Sequence, residues 1–158
     1  MTPDTIEFRK MSENDFSRYR ELSLEGYAQD IAKNFKKPID IVRIEAKEQV
    51  NRILKDGLST QGHFLFNVVE KERGETIGQV WFNVENDKKR AFLYDIMIHE
   101  PYRGKGYGRK TLQLVEENVR EMGASHLGLH VFAHNQVAIN LYKTQGYYTT
   151  SFNMQKDL

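Results

Sequence analysis

"IMIHEPYRGKGYGRK", residues 96–110, sets glycines at alternating positions 104, 106 and 108 between an apolar strand-like run and a helix-like one. Glycine lets a backbone approach a ligand with no Cβ in the way. Where a helix opens, its first N–H groups have no partner within the helix, and the helix dipole favours an anion. Arg103, Lys105, Arg109 and Lys110 surround that point with positive charge. Taken alone, the stretch admits two readings: a tight turn with solvated cations, or a seat for a phosphate or pyrophosphate. Two nucleotide signatures fit it poorly. A phosphate-binding NTPase loop needs Gly-Lys-Ser or Gly-Lys-Thr after four intervening residues, and this is absent. A dinucleotide fingerprint needs Gly-x-Gly-x-x-Gly, whereas "GKGYGR" brings its third glycine one residue early.

Outward from this turn, the periodicity alternates between strand and helix. "RAFLYDIMIH" (90–99) reads as a largely buried fourth strand. Leu112, Val115, Val119 and Met122 form one helical stripe that Gly123 closes. "HLGLHVFAH" (126–134) reads as a fifth strand, Asn135 as the cap of a short helix ended by Gly146, and "YYTTSFNMQK" as a last strand. Towards the amino terminus, "TIEFRKM" (5–11) alternates as a first strand. Ser12 and Asp15 resemble a capping box that opens a helix running towards Phe35. After Pro38, Val42, Ala46, Val50 and Ile53 mark a second helix stopped near Gly57. "HFLFNVVEK" (63–71) and "TIGQVWFNVE" (76–85), joined by "KERGE", read as a hairpin. The expected product is one mixed α/β domain over residues 1–158.

Composition narrows the chemistry. A chain of 158 residues with a net charge near +1 has no global field that argues for nucleic acid or a membrane surface. The sequence contains no cysteine, which removes disulfides, thiolate metal sites and a cysteine nucleophile. No apolar run approaches the length of a membrane span, and "MTPDTIEFRK" lacks the pattern of a secretion signal, so a cytoplasmic location is expected. His99, His126 and His134 show no metal-ligand spacing, and no metal is expected.

The glycine turn resembles the Arg/Gln-x-x-Gly-x-Gly/Ala signature of GNAT-superfamily N-acetyltransferases, with Arg103, Gly106 and Gly108 in the fixed places. Asn135, Ala138, Leu141, Tyr142, Gly146 and Tyr147 match a second motif of the family, and "TIGQVWF" matches the opening of its third strand. The likeness covers roughly residues 60–158 and is nearest to a bacterial branch without an assigned substrate. It implies a mixed, mostly antiparallel central sheet with splayed strands four and five and flanking helices. Residues 12–57 would then shape the acceptor side, and 90–146 the acetyl-coenzyme A core. The resemblance further implies acetyl-CoA as donor and an amine acceptor on a small molecule, peptide or protein; a homodimer is left open. The pyrophosphate would rest on the amides of Arg103, Gly104, Lys105, Gly106, Tyr107 and Gly108. The pantetheine arm would lie along Ile96, Met97 and Ile98, and Asn135 matches a position that contacts the coenzyme.

Acetyl transfer needs a neutral amine, a polarised thioester carbonyl and a protonated leaving thiolate. Tyr142 matches the family tyrosine that approaches the coenzyme sulfur, and a phenol is a sensible proton donor to it. His130 stands where relatives that acetylate protein amino termini carry a glutamate base; imidazole is one candidate there and a water relay is another. Strand alternation sends the Asp95 side chain to the face opposite Tyr94 and Ile96, which ranks it lower. Acids and tyrosines at 19–30 are either a solvated helix face or an attraction for a cationic amine. The competing class is an acyl-CoA binding or sensing module that has lost turnover.

Overall fold

The computed structural model describes residues 5–158. Five strands lie in sequence order across one sheet: β1 (Ile6–Lys10), β2 (His63–Glu70), β3 (Glu75–Glu85), β4 (Arg90–Ile98) and β5 (His126–Leu129). The first three pairings are antiparallel and β4–β5 is parallel. That last pairing requires a crossover, which α3 (Tyr107–Glu121) supplies.

Helices cover both faces. α1 (Glu13–Phe35) and α2 (Ile39–Ile53) lie against one, where Phe16, Tyr19, Leu65 and Trp81 form a buried cluster. On the other, α3 sinks Leu112, Val115 and Val119 into a core with Val68, Ile77, Val80, Phe82 and Leu93. The Ser12–Asp15 capping box forms as its residues suggest: each side chain accepts the other residue's backbone N–H at 3.1 Å. α1 ends where Lys36 turns left-handed, and Pro38 starts α2 two residues on. α4 (Gln136–Thr144) packs beside α3, with the Tyr147 hydroxyl donating to Glu116 across the layer at 2.6 Å.

Two expectations need correction. The fifth strand, expected over 126–134, stops at Leu129. Among the described residues its only neighbour is β4, and their pairing ends at Leu93↔Leu129, after which the two segments no longer pair. The last strand, expected within 147–156, is absent: these residues take no regular structure, and no described strand pairs with them.

Candidate active site

The divergence of β4 from β5 is what creates the site. β4 continues through Tyr94, Asp95, Ile96, Met97 and Ile98 with β3 on one side and, among the described residues, no strand on the other. Main-chain groups along that edge are left to bind something other than the sheet. A cleft of about 1020 Å³ opens there, reaching from the α1–α2 face across β4 to the chain after β5.

Along the chain beyond the end of β4 stands the glycine turn. Gly104 and Gly106 both take left-handed conformations, φ 74° and 84°, which an L side chain rarely adopts. Gly106 is the N-cap of α3 and offers no side chain to cap it, so the first helical amides are left for a ligand. A Cβ at Gly104 would meet nothing within 4 Å, and one at Gly106 only the Arg109 guanidinium at 3.8 Å. The backbone here borders open space. Gly108 plays a different part: its added Cβ would lie 3.6 Å from Leu141, so this position governs the approach of α4 to α3. The Arg103 amide is engaged, donating to Glu100 O at 3.2 Å, and its Nε donates to Ile98 O at 2.7 Å. Arg103 therefore ties the turn to the end of β4, and the series of free amides begins after it. Lys110 lies over the Tyr107 ring at 5.3 Å, which steadies the first turn of α3.

On the other side of the cleft the decisive feature is a β-bulge. Trp81 pairs with Asp95 and Phe82 with Leu93, so Tyr94 is an extra residue in β4. A bulge breaks strict alternation. Tyr94 stacks on Trp81 at 4.3 Å and 12°, while the next residue, Asp95, accepts the Tyr19 hydroxyl of α1 at 2.7 Å. Both side chains thus serve the α1–α2 face, and Leu93 and Ile96 flank them on the α3 face. This corrects the placement of Asp95 opposite Tyr94. Nothing in the sequence marks the bulge, since no glycine sits in it.

Electrostatics follow from this burial. Asp95 lies deep at the cleft floor; burial raises its carboxyl to about 6, and the Asp30 charge adds to the rise against the opposing hydrogen bond from Tyr19. Burial also pushes the Tyr142 phenol up to about 12, with the Asp95 charge reinforcing it. Tyr142 stays protonated at neutral pH and is a hydrogen-bond donor there. The structure brings Tyr142, His130 and Asn135 to the same cleft as Asp95. His130 is exposed and sets its ring edge-on against Phe132 at 4.8 Å. The Asn135 side chain accepts the Ala138 N–H at 3.2 Å, capping α4 and so fixing the helix that carries Tyr142. Beside Tyr27, Trp81 and Phe132 add an aromatic lining that spacing alone did not single out.

The site thus combines a parallel strand pair that splays apart, a helix N-terminus without a side-chain cap, and a carboxylate and a phenol, Asp95 and Tyr142, in one cleft. The family model described as "Acetyltransferase (GNAT) family" matches residues 28–147, and the chain belongs to that family. It is similar to the N-acetyltransferase YycN of Bacillus subtilis (strain 168), 33% identical over 98% of this chain and 99% of that protein. YdgE, an N-acetyltransferase of the same organism, is 32% identical over 94% of this chain and 95% of its own length. The crystal structure of the Bacillus subtilis YycN protein superposes with a TM-score of 0.91 over 98% of this chain and 99% of that one. PaiA N-acetyltransferase from Thermoplasma acidophilum, solved in complex with coenzyme A, shares the fold at a TM-score of 0.68 and 20% identity, over 94% of this chain and 92% of its own. The protein is an acetyltransferase.

Proposed function

We propose that this acetyltransferase moves the acetyl group of acetyl-coenzyme A to a primary amine by direct attack within a ternary complex. The observation that carries the reading is the unpaired β4 edge running from the cleft floor to the glycine turn. An extended amide-bearing arm fits along such an edge, and a pyrophosphate fits the amides that follow Arg103. The coenzyme A bound to the PaiA protein supports the same choice of carrier.

In this reading the backbone at Ile96 and Met97 holds the carrier arm, and Lys105 and Arg109 neutralise its phosphates. The amine nitrogen forms the new C–N bond as the C–S bond breaks. Asp95 takes the proton that leaves nitrogen, directly or through one water, and Tyr142 hydrogen-bonds the sulfur and supplies the proton that makes a neutral thiol. One proton lost at nitrogen is balanced by one gained at sulfur. A carboxyl near 6 is largely ionised at neutral pH, yet basic enough to work as an acceptor. His130 borders the same cleft, but its exposure makes it a weaker choice than the anchored Asp95.

Calorimetry with acetyl-CoA, followed by a screen of amines and amino-terminal peptides for release of free thiol, tests the proposal. Binding with turnover on at least one amine is expected. Binding without turnover on any of them would favour a sensing module, and absence of binding would overturn the placement of the carrier.

A further inference from the structure

The chain after β5 stops short of a partner that lies open beside it. In "HVFAH" (130–134), Val131 and Phe132 favour a strand, and β4 runs on past Leu93 with an edge that no described strand takes up. Yet their ladder ends at Leu93↔Leu129. Continued in register, it would set His130 beside Tyr94, Val131 beside Asp95 and Phe132 beside Ile96. A strand-forming segment next to an unpaired edge pairs with it unless something holds it off.

α1 supplies the hold. Asp30 and Asn34 stand one turn apart on the same face of that helix, and the His134 ring sits between their side chains. The Asn34 amide gives one hydrogen to Asp30 O at 2.7 Å, so its other hydrogen meets His134 Nδ1, also at 2.7 Å. Nδ1 is then the acceptor, and Nε2 carries the hydrogen that Asp30 Oδ1 accepts at 3.2 Å. This placement of hydrogens follows from the Asp30 carbonyl, which can only accept. Two residues earlier, the Phe132 ring meets Tyr27 of α1, with centroids 6.1 Å apart. The Phe132 and His134 carbonyls accept the Asn135 and Gln136 N–H groups, each at 3.0 Å, and so serve a local turn in place of β4. The bulge at Tyr94 is a rival cause of the splay, but beyond it β4 is regular enough to pair with β3 from Asp95 to Ile98.

We propose that His134 is a positioning residue for the carrier: gripped by Asp30 and Asn34, it holds the segment after β5 against α1 and keeps the slot beside β4 open before any ligand arrives. Without that grip, residues 130–133 close onto β4 and take the edge that the carrier arm needs. A carrier that binds only the open form loses affinity in proportion to the fraction of molecules that are closed. The inference rests on the reading of this edge as the carrier site, and its test keeps the two apart.

Hydrogen exchange and calorimetry with acetyl-CoA, both on the full chain, supply that test. In the parent, the β4 amides of 95–98 that point away from β3 should exchange fast alone and slowly with acetyl-CoA. In His134→Ala, and separately in Asn34→Ala, they should be slow without ligand. Acetyl-CoA affinity should then fall by about tenfold, as for a slot open in about one molecule in ten. His134→Gln keeps a side-chain N–H for Asp30 and should recover affinity to within about threefold of the parent. Slot amides that stay fast in both alanine variants would overturn the proposal and leave the Tyr94 bulge as the cause of the splay. So would a glutamine variant no better than alanine, or protection lost throughout the sheet, which would make His134 a general support of the fold. A parent that binds no acetyl-CoA would remove the carrier from the slot, while the exchange result would still decide what holds the slot open.

Discussion

The two sides of the cleft are built from different materials. The proposed donor side, from Ile96 to Gly108, offers main chain: a free strand edge, left-handed glycines and bare helix amides. The proposed acceptor side offers side chains delivered by separate elements, Tyr19 and Asp30 from α1, Trp81 from β3, Asp95 from β4 and Phe132 from beyond β5. A ligand held by backbone tolerates wide change in side chains but almost none in conformation. A ligand held by side chains is the reverse. On the proposed reading, the carrier site constrains backbone conformation and the acceptor site constrains side-chain identity.

The sharpest way to break the contrast is Gly106→Val. The substitution forces a β-branched residue to φ 84° and fills the space in front of the first α3 amides. Affinity for acetyl-CoA, measured by calorimetry, should fall by about 100-fold or more, equivalent to about 2.7 kcal/mol, and turnover should go with it. Gly108→Ala is the matched control: its Cβ would make ordinary contact with Leu141, and affinity should stay within a few-fold. Equal losses at both positions would mean that the turn matters for folding and not for the carrier.

Tyr142→Phe probes the junction of the two sides. It keeps the ring, and so the packing against Tyr147, and removes only the hydroxyl. Turnover should drop by about 10²–10³ with carrier affinity nearly unchanged, within the range expected for loss of a positioned acid. Parallel losses in both quantities would make Tyr142 a structural aromatic.

Asp95→Asn separates chemistry from stability. If Asp95 is the proton acceptor, kcat/KM should rise with pH through about 6, and the variant should lose that limb along with about 10²-fold in rate. The stability effect has the opposite sign. The folded-state pKa is raised from an ordinary 3.8 to about 6, so the folded chain binds this proton more tightly than the unfolded one. The penalty for keeping Asp95 ionised is absent below about pH 4 and fully present above about 6. The variant, whose amide oxygen can still accept from Tyr19, should therefore be more stable at pH 7 by up to about 2–3 kcal/mol and no more stable at pH 3. Thermal unfolding at the two pH values reads this directly.

How much was legible in the sequence follows the same division. Gly104 and Gly106 announce their backbone geometry because few other residues can adopt it, and Ser12 with Asp15 announces the start of α1 for an equally local reason. The motif around Asn135 and Tyr142 located α4 and its phenol. Asp95 was misplaced, because the bulge that turns it towards Tyr19 arises from how β3 and β4 pair, 14 residues apart at Trp81 and Asp95. Neither strand records that irregularity on its own. Alternation over 147–156 suggested a last strand that the structure does not contain, since pattern describes a segment and pairing requires a neighbour. β5 shows the same limit: "HVFAH" has strand composition, but the splay from β4 takes its partner away.

His130→Ala is expected to have the smallest effect and is for that reason the cleanest arbiter between the two candidate bases. The imidazole is exposed and leans on Phe132, whereas the Asp95 side chain is half-buried and fixed by Tyr19. A proton acceptor must hold its geometry through the reaction, and a side chain anchored by a 2.7 Å hydrogen bond does so better than one at a cleft rim. Replacement by alanine should change kcat/KM by no more than about threefold, under about 0.7 kcal/mol, and leave the limb near pH 6 in place. If that limb disappears in the alanine variant and survives in Asp95→Asn, the roles are exchanged: the acceptor side would then be read from the chain beyond β5, and Asp95 would be a half-buried acid that only positions Tyr19.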